Sequence, residues 1–300
     1  MLTRKFFTAL LFALSASLAH ADLKIFATVP EWGALAQMLG GDKVKVYTAT
    51  TGLQDPHRIQ ARPSLIANAR SSNLVIATGA GLEVGWLPTV QREANNAGIM
   101  PNQPGFLEVA RYVRMLEIPT VVDRTMGDVH AEGNPHIQTD PRNLLPIARV
   151  ISLRMQQLDP ENAAYYQTQL TQFDQFWQAN LQRWQKVAEP LRGVKVWVQH
   201  DGYPYMNAWL GLNQVGILEP RPGVEPSSRH LAEVLQRQQT VQGRMVIASA
   251  YLNDAPAKWF SEKAGIPEVI LPFTVGGNEQ AKNLTALYDD TLQRLLAALK

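Results

Sequence analysis

The sequence predicts an α/β protein built from two Rossmann-like lobes with parallel sheets, joined by a long, rigid backbone helix. Three observations lead to this fold class. Short β-rich runs alternate with helical patterns, the 300 residues exceed the usual size of a single domain, and a long amphipathic segment divides the chain into two such halves.

The predicted strands are short runs rich in valine, isoleucine, leucine and threonine. In the first half of the chain they are 23–28, 44–48, 74–78 and 120–122, and in the second half 194–198, 216–218, 245–249 and 269–272. Helical patterns lie between successive runs. This order is typical of parallel strands joined by helical crossovers, in which the carboxyl ends of the strands share one edge of the sheet.

The segment 159–190 predicts one long helix between the two halves. It opens with Asp-Pro and carries large apolar residues mostly three, four or seven positions apart: Tyr165, Leu170, Phe173, Trp177, Leu181 and Trp184. A helix of this size would reach roughly 45 Å at 1.5 Å per residue and would run along both lobes. We therefore expect a signal peptide at 1–21, an N-terminal lobe at 22–158, the linking helix at 159–190 and a C-terminal lobe at 191–300.

The first 21 residues resemble a cleaved secretory signal. Arg4 and Lys5 precede an apolar stretch, and alanines 19 and 21 form a small-residue cleavage site. The stretch is shorter than the ~20 residues that span a bilayer. We expect cleavage after Ala21 and a monomeric protein in the periplasm. The sequence has no cysteine, so a disulfide framework, a thiolate metal site and a lipid-anchored cysteine are not expected.

Charge argues against nucleic acid as a partner. Without Arg4 and Lys5, 26 of the 28 basic residues remain against 26 acidic ones, so the formal net charge of the expected mature chain is zero. No run of lysines and arginines is present that would follow a phosphate backbone.

Histidines are the best candidates for chemistry, because three of them occupy similar local settings. His57 follows Asp-Pro, His136 follows Asn-Pro, and His200 ends a buried-looking strand and precedes Asp-Gly. Each lies at the end of a strand or loop that leads into a helix, where side chains face the cleft of a parallel sheet. One such histidine alone would most simply be a surface or capping residue. Three in equivalent settings are harder to explain in that way.

The order and spacing of these motifs resemble a known family across nearly all of the expected mature chain. The motifs are Asp55-Pro56-His57 with Arg62-Pro63-Ser64, Asn134-Pro135-His136 with Asp140-Pro141, His200-Asp201-Gly202-Tyr203, Gly79–Leu87 and Glu225-Pro226-Ser227. They are similar to those of the zinc- and manganese-binding solute-binding proteins of bacterial ABC transporters.

The resemblance implies two α/β lobes with a metal ion between them, bound as transported substrate. It also implies an inner-membrane ABC permease as partner, and a periplasmic metallochaperone remains open as a second one. The implied metal ligands are His57, His136 and His200. Imidazole ligands suit Zn²⁺, whereas Mn²⁺ favours oxygen, so the sequence favours zinc over manganese.

The fourth ligand stays open at this point. The family has an aspartate shortly before a glycine in the C-terminal lobe, but the corresponding stretch here, 271–277, contains no carboxylate. Water, His130, Glu132 and Glu83 are the alternatives; the loop with His130 and Glu132 comes first, because it runs directly into His136. We expect Glu83 to be structural, Asp201 to orient His200, and His230 to be an ordinary surface residue.

Two other functions fit three histidines. A hydrolytic zinc enzyme also uses three protein ligands and an open position, but no His-Glu-x-x-His motif or comparable pairing supplies a general base. A binding protein for another divalent metal or for a metal chelate would also be compatible with the missing aspartate.

Overall fold

The computed structural model describes residues 22–121 and 127–300, and these residues form two four-stranded parallel sheets. The first sheet has the order β2-β1-β3-β4 and the second the order β6-β5-β7-β8. The strands are β1 Leu23–Ala27, β2 Val44–Thr48, β3 Leu74–Ala77, β4 Phe106–Glu108, β5 Lys195–Val198, β6 Asn213–Ile217, β7 Met245–Ser249 and β8 Glu268–Leu271. The predicted fold class is confirmed, and the two sheets repeat one topology. The predicted signal peptide lies outside the described residues.

Two strand predictions need correction. The run 120–122 was predicted as a strand, but residues 120 and 121 are not in one, and residue 122 lies outside the described ranges. The fourth strand is instead Phe106–Glu108, whose first residue pairs with Val75. Strand 106–108 has only three residues, too few to show an alternation of apolar and polar side chains. A β-branched composition alone does not make residues 120–122 a strand, because a strand must also pair with the edge of a sheet. Strand β6 also begins three residues before the predicted run 216–218.

Helices follow the strands in the expected alternation, and prolines begin many of them. They are α1 Pro30–Gly40, α2 Pro63–Ser71, α3 Leu87–Ala94, α4 Leu144–Leu158, α5 Ala163–Val187, α6 Pro204–Leu210, α7 Ser228–Val241, α8 Ala255–Ala264 and α9 Leu284–Ala297. Proline occupies the first or second position of α1, α2, α3, α6 and α8, where its missing N–H costs no helical hydrogen bond.

The linking helix α5 is shorter than predicted, because a 3₁₀ turn flanks it at each end. Pro160–Asn162 precedes the helix and Glu189–Leu191 follows it. Its 25 residues span roughly 37 Å. The helix contacts α1, α4 and α9. We propose that the linking segment meets the two lobes where the sequence predicts, between residues 158 and 159 and between residues 190 and 191. The first limit falls at the end of α4 and the second in the turn after α5.

One hydrophobic core crosses both halves of the described chain along α5. It contains residues of β1 and β3 from the first sheet, residues of β5 and β7 from the second, and the aromatic face of α5. Trp177 and Trp184 are fully buried in it, with ring centres 5.2 Å apart. Separate clusters cover the other face of each sheet. The two tryptophans of α5 therefore pack the interior.

A buried carboxyl group also joins the two halves. Glu31, in the first turn of α1, is 2% exposed, and it accepts a hydrogen bond from the hydroxyl of Thr274, which follows β8. Burial raises the pKa of Glu31 to about 7, although the bond from Thr274 acts in the opposite direction. The neutral acid is the form that this interior favours.

Replacing Trp177 by alanine should lower the free energy of unfolding by about 3–5 kcal/mol, because the change leaves a cavity in the shared core. It also removes the hydrogen bond from the indole Nε1 to the carbonyl of Pro141, which measures 2.7 Å. Urea unfolding followed by circular dichroism measures the loss. Phe176→Ala is the matched control, since Phe176 is 46% exposed. Equal effects of the two variants would contradict this account of the core.

Glu31 should make the stability depend on pH. The folded protein holds the proton of Glu31 up to about pH 7, whereas the unfolded chain releases it near 4.5. This stabilisation is therefore complete below pH 4.5 and is lost as the pH rises to about 7. The parent should unfold with a higher free energy than Glu31→Gln at low pH. This difference should fall by on the order of 3 kcal/mol as the pH rises from 4.5 to about 7. A difference that stays constant from pH 4.5 to 8 would show that Glu31 titrates normally.

Candidate metal centre

Two similar turns position His57 and His136 in the first half of the chain. In each turn, an oxygen of the residue two positions earlier accepts a 3.0 Å hydrogen bond from the backbone N–H of the histidine: Oδ1 of Asp55 for His57 and Oδ1 of Asn134 for His136. The intervening proline restricts the backbone. Such side-chain turns hold the backbone in a tight, defined bend.

His200 comes from the second half of the chain, two residues after β5. Its Nδ1 lies 2.8 Å from Oε2 of Glu219, which directly follows Leu218 at the carboxyl end of β6. The expectation that Asp201 orients this ring was wrong, because Asp201 Oδ1 accepts a hydrogen bond from the side chain of Gln214 instead. Glu219 was missed, although it also follows a strand end, the setting that singled out the histidines.

The structure brings the three predicted histidines together between the two sheets. The ring centre of His57 lies 5.3 Å from that of His136 and 6.2 Å from that of His200. The Nε2 atoms of His136 and His200 are 3.4 Å apart. Two nitrogen ligands of a tetrahedral zinc ion stand ~3.3 Å apart when each Zn–N bond is ~2.0–2.1 Å. This pair of nitrogens therefore has the spacing of zinc ligands.

The full set is not yet a ready metal site. Among residues 22–121 and 127–300, no group of three or more His, Asp or Glu side chains has the arrangement to hold a metal ion as it stands. Nε2 of His57 is buried without a hydrogen-bond partner among the described residues. Binding would have to draw His57 closer to His200, since ring centres around a tetrahedral zinc ion are ~5 Å apart.

Burial and neighbouring charges give two of the histidines opposite acid–base properties. Burial, with smaller contributions from the neighbouring histidines, places the pKa of His136 well below its ordinary value. Burial would also lower the pKa of His200, but the hydrogen bond and negative charge of Glu219 outweigh it and raise that pKa. Within the 3.4 Å contact at most one Nε2 can carry a proton, and a metal ion would displace that proton.

The loop before His136 places His130, but not Glu132, at the centre. The ring centre of His130 lies 5.4 Å from that of His57. His130 also lines, with His136 and His200, a cavity of about 130 Å³, whereas Glu132 is exposed and does not line it. Burial lowers the pKa of His130 to about 4, and its ring also hydrogen-bonds to the backbone of Ala80. His130 is therefore neutral at physiological pH.

Glu83 has the structural role expected from the sequence. Its Oε1 accepts hydrogen bonds from the hydroxyl of Thr28 at 2.6 Å and from the backbone N–H of Thr78 at 2.8 Å, and its Oε2 accepts one from Gly79 N–H at 3.1 Å. Thr28 and Thr78 directly follow β1 and β3. The carboxyl group of Glu83 therefore joins the ends of two neighbouring strands.

An aromatic ring occupies the side of the centre where the sequence lacks a carboxylate. Phe273 is 6% exposed, and its ring centre lies 5.1 Å from that of His136. It also packs edge-on against Tyr203 and contacts Tyr251. The C-terminal segment therefore contributes an apolar wall to the centre.

His230 lies on α7, away from the three histidines. Its backbone N–H donates to the hydroxyl of Ser227, which caps the helix at 3.2 Å. The described helices include none with the length and apolar character needed to cross a bilayer.

Comparisons with known proteins agree with this architecture. The family model described as zinc-uptake complex component A, periplasmic (ZnuA) matches residues 25–300. The high-affinity zinc uptake system protein ZnuA of Yersinia pestis is 24% identical over 262 residues, which cover 83% of this chain and 81% of the relative. The manganese ABC transporter substrate-binding lipoprotein PsaA of Streptococcus pneumoniae is 20% identical over 270 residues, covering 89% and 84%.

Solved structures show the same fold. A crystal structure of ZnuA superposes with a TM-score of 0.77 at 19% identity and covers 93% of this chain and 100% of the other. A zinc-bound ZnuA mutant lacking residues 138–173 gives a TM-score of 0.75 at 22% identity, covering 93% and 98%. Since the family model spans almost the whole chain, this protein belongs to the ZnuA family of metal-binding, substrate-binding proteins of ABC importers, which are not enzymes.

Proposed function

We propose that this protein captures Zn²⁺ between its two lobes through His57, His136 and His200 and delivers it to an ABC importer. The observation that carries the proposal is the 3.4 Å separation of the Nε2 atoms of His136 and His200, which come from different halves of the chain. The Nε2 of His57, buried and without a hydrogen-bond partner among the described residues, supports it as the third ligand. Neutral imidazole nitrogen is the form that binds a metal ion.

The chemistry of the centre favours zinc over manganese as the cargo. Relatives are named for either metal. The carboxylates next to the histidines, Asp55 and Glu219, contact ring Nδ1 atoms, on the side of each ring opposite Nε2. A metal ion at the Nε2 atoms would therefore meet nitrogen, which suits zinc, rather than the oxygen that manganese favours.

The proposal extends to location and partners. We place the mature chain in the periplasm, after cleavage of the signal peptide following Ala21, as a monomer. Its partner would be the inner-membrane permease of the importer, with a periplasmic metallochaperone as a further candidate that loads the site. The names of the manganese-binding relatives as ABC transporter substrate-binding proteins support the permease.

We assign the fourth ligand position to His130. Its ring centre lies 5.4 Å from that of His57, close to the ~5 Å expected for two imidazoles on one tetrahedral zinc ion. Glu132 is exposed, and the carboxyl oxygens of Glu83 are engaged with three hydrogen-bond donors. Phe273 excludes a carboxylate from the opposite wall. Of the alternatives left open by the sequence, only water then competes with His130.

Alanine at any one of His57, His136 or His200 should weaken zinc binding at least tenfold, because each change removes one metal–nitrogen bond. His230→Ala is the matched control and should bind zinc like the parent. Equilibrium dialysis with metal analysis, run against zinc, manganese and a zinc chelate, measures the affinities. Parent-like zinc binding by one of the three variants would remove that residue from the ligand set. Tight binding of the chelate alone would overturn free zinc as the cargo.

His130→Ala should weaken zinc binding roughly tenfold, whereas Glu132→Ala should leave the affinity unchanged. The two residues share one loop. Comparing the two variants therefore distinguishes the loss of a metal ligand from a general effect of changing that loop. Competition of each variant with a colorimetric zinc chelator measures the difference. If His130→Ala retains the affinity of the parent, water holds the fourth position.

A further inference from the structure

The candidate centre lacks a direct carboxylate ligand, but two carboxylates stand directly behind it. Oδ1 of Asp55 lies 2.8 Å from Nδ1 of His57, and Oε2 of Glu219 lies 2.8 Å from Nδ1 of His200. A dication held by neutral imidazoles alone would keep its full charge in a buried site. Negative charge placed behind the ligands reduces that cost.

Glu219 is held in a fixed position. Its Oε2 also accepts a 2.8 Å hydrogen bond from the backbone N–H of Gly223, and its side chain is 7% exposed. Gly223 has φ +75°, and a Cβ at this position would lie 2.0 Å from Oδ2 of Asp128. The turn therefore requires glycine, and this turn fixes the carboxylate that faces His200.

This contact determines which nitrogen of His200 can bind a metal ion. An ionised carboxylate only accepts hydrogen bonds, so Nδ1 of His200 must carry the hydrogen. In the neutral ring, Nε2 then has a free lone pair, and Nε2 is the atom that faces His136 at 3.4 Å. Without Glu219, the proton could occupy either nitrogen, and one of the two tautomers cannot bind metal through Nε2.

We propose that Glu219 is a positioning residue for metal capture: it holds the Nδ1–H tautomer of His200 and supplies negative charge that the ligand set itself lacks. This inference rests on the proposed zinc-binding function. Asp55 makes the corresponding contact with His57, but its Oδ1 also accepts the backbone N–H of His57, so its replacement would disturb the turn as well. Glu219 likewise accepts a backbone N–H, from Gly223, so its test needs a variant that keeps the acceptor and removes only the charge.

A purely structural role, in which Glu219 only anchors the turn through Gly223, predicts different results. Glu219→Gln can keep an oxygen acceptor for both donors but removes the charge, whereas Glu219→Ala removes both. Glu233→Gln is the control, because Glu233 is exposed on α7 and pairs with Arg229. We expect zinc affinity to fall 10–100-fold in Glu219→Ala, to fall less in Glu219→Gln, and to stay unchanged in Glu233→Gln.

Nitrogen-15 NMR of the histidine rings in the metal-free protein provides the second readout. The parent and Glu219→Gln should show His200 protonated at Nδ1, and Glu219→Ala should show a mixture of tautomers or the Nε2–H form. Circular dichroism verifies folding, and Glu219→Gln carries the test if the alanine variant unfolds. Zinc affinity in Glu219→Ala within twofold of the parent, or an unchanged tautomer, would overturn the inference while the proposed function stands. Parent-like zinc binding by His200→Ala would overturn the proposed function instead.

Discussion

Burial of the aromatic face of α5 is the constraint on which the rest of the structure depends. Neither sheet covers its inner face alone; both pack into the one core that contains Trp177 and Trp184. The core, together with the buried contact between Glu31 and Thr274, fixes how far apart the two halves stand. The distance between His136 and His200 is therefore set by packing outside the two rings themselves.

Dielectric environment gives the centre its acid–base character. Burial disfavours the charged forms of His136 and His130 and keeps both rings neutral, although the backbone hydrogen bond of His130 to Ala80 acts in the opposite direction. His200 differs, because Glu219 stabilises its charged form against the same burial. A pair with one low and one raised pKa, in contact through Nε2, can share a single proton and exchange it for a metal ion.

The sequence predicted the features that local chemistry determines. The alternation of strands and helices predicted the two parallel sheets. The two X-Pro-His turns and the strand end before His200 indicated three histidines, whose ring centres the structure brings within 6.2 Å of one another. Their role as ligands stays a proposal. Strand Phe106–Glu108 was missed, because only its pairing with β3 makes those residues a strand. The ends of α5 were placed too far out. Asp-Pro predicted the start of the helix itself, but Pro160 begins a 3₁₀ turn before it, and Pro190 lies in the turn that follows it.

The residues at the first position of the two X-Pro-His turns are not interchangeable. Asn134 accepts the backbone N–H of His136, and its amide nitrogen also donates to the carbonyl of Asp201, 2.7 Å away, beside His200. An aspartate could accept but not donate, so it would lose this one of the links between the two halves. Asp55 does not have to donate a hydrogen bond, and its negative charge lies beside Nδ1 of His57. One atom, nitrogen or oxygen, thus decides whether such a turn ties the halves together or tunes its own histidine.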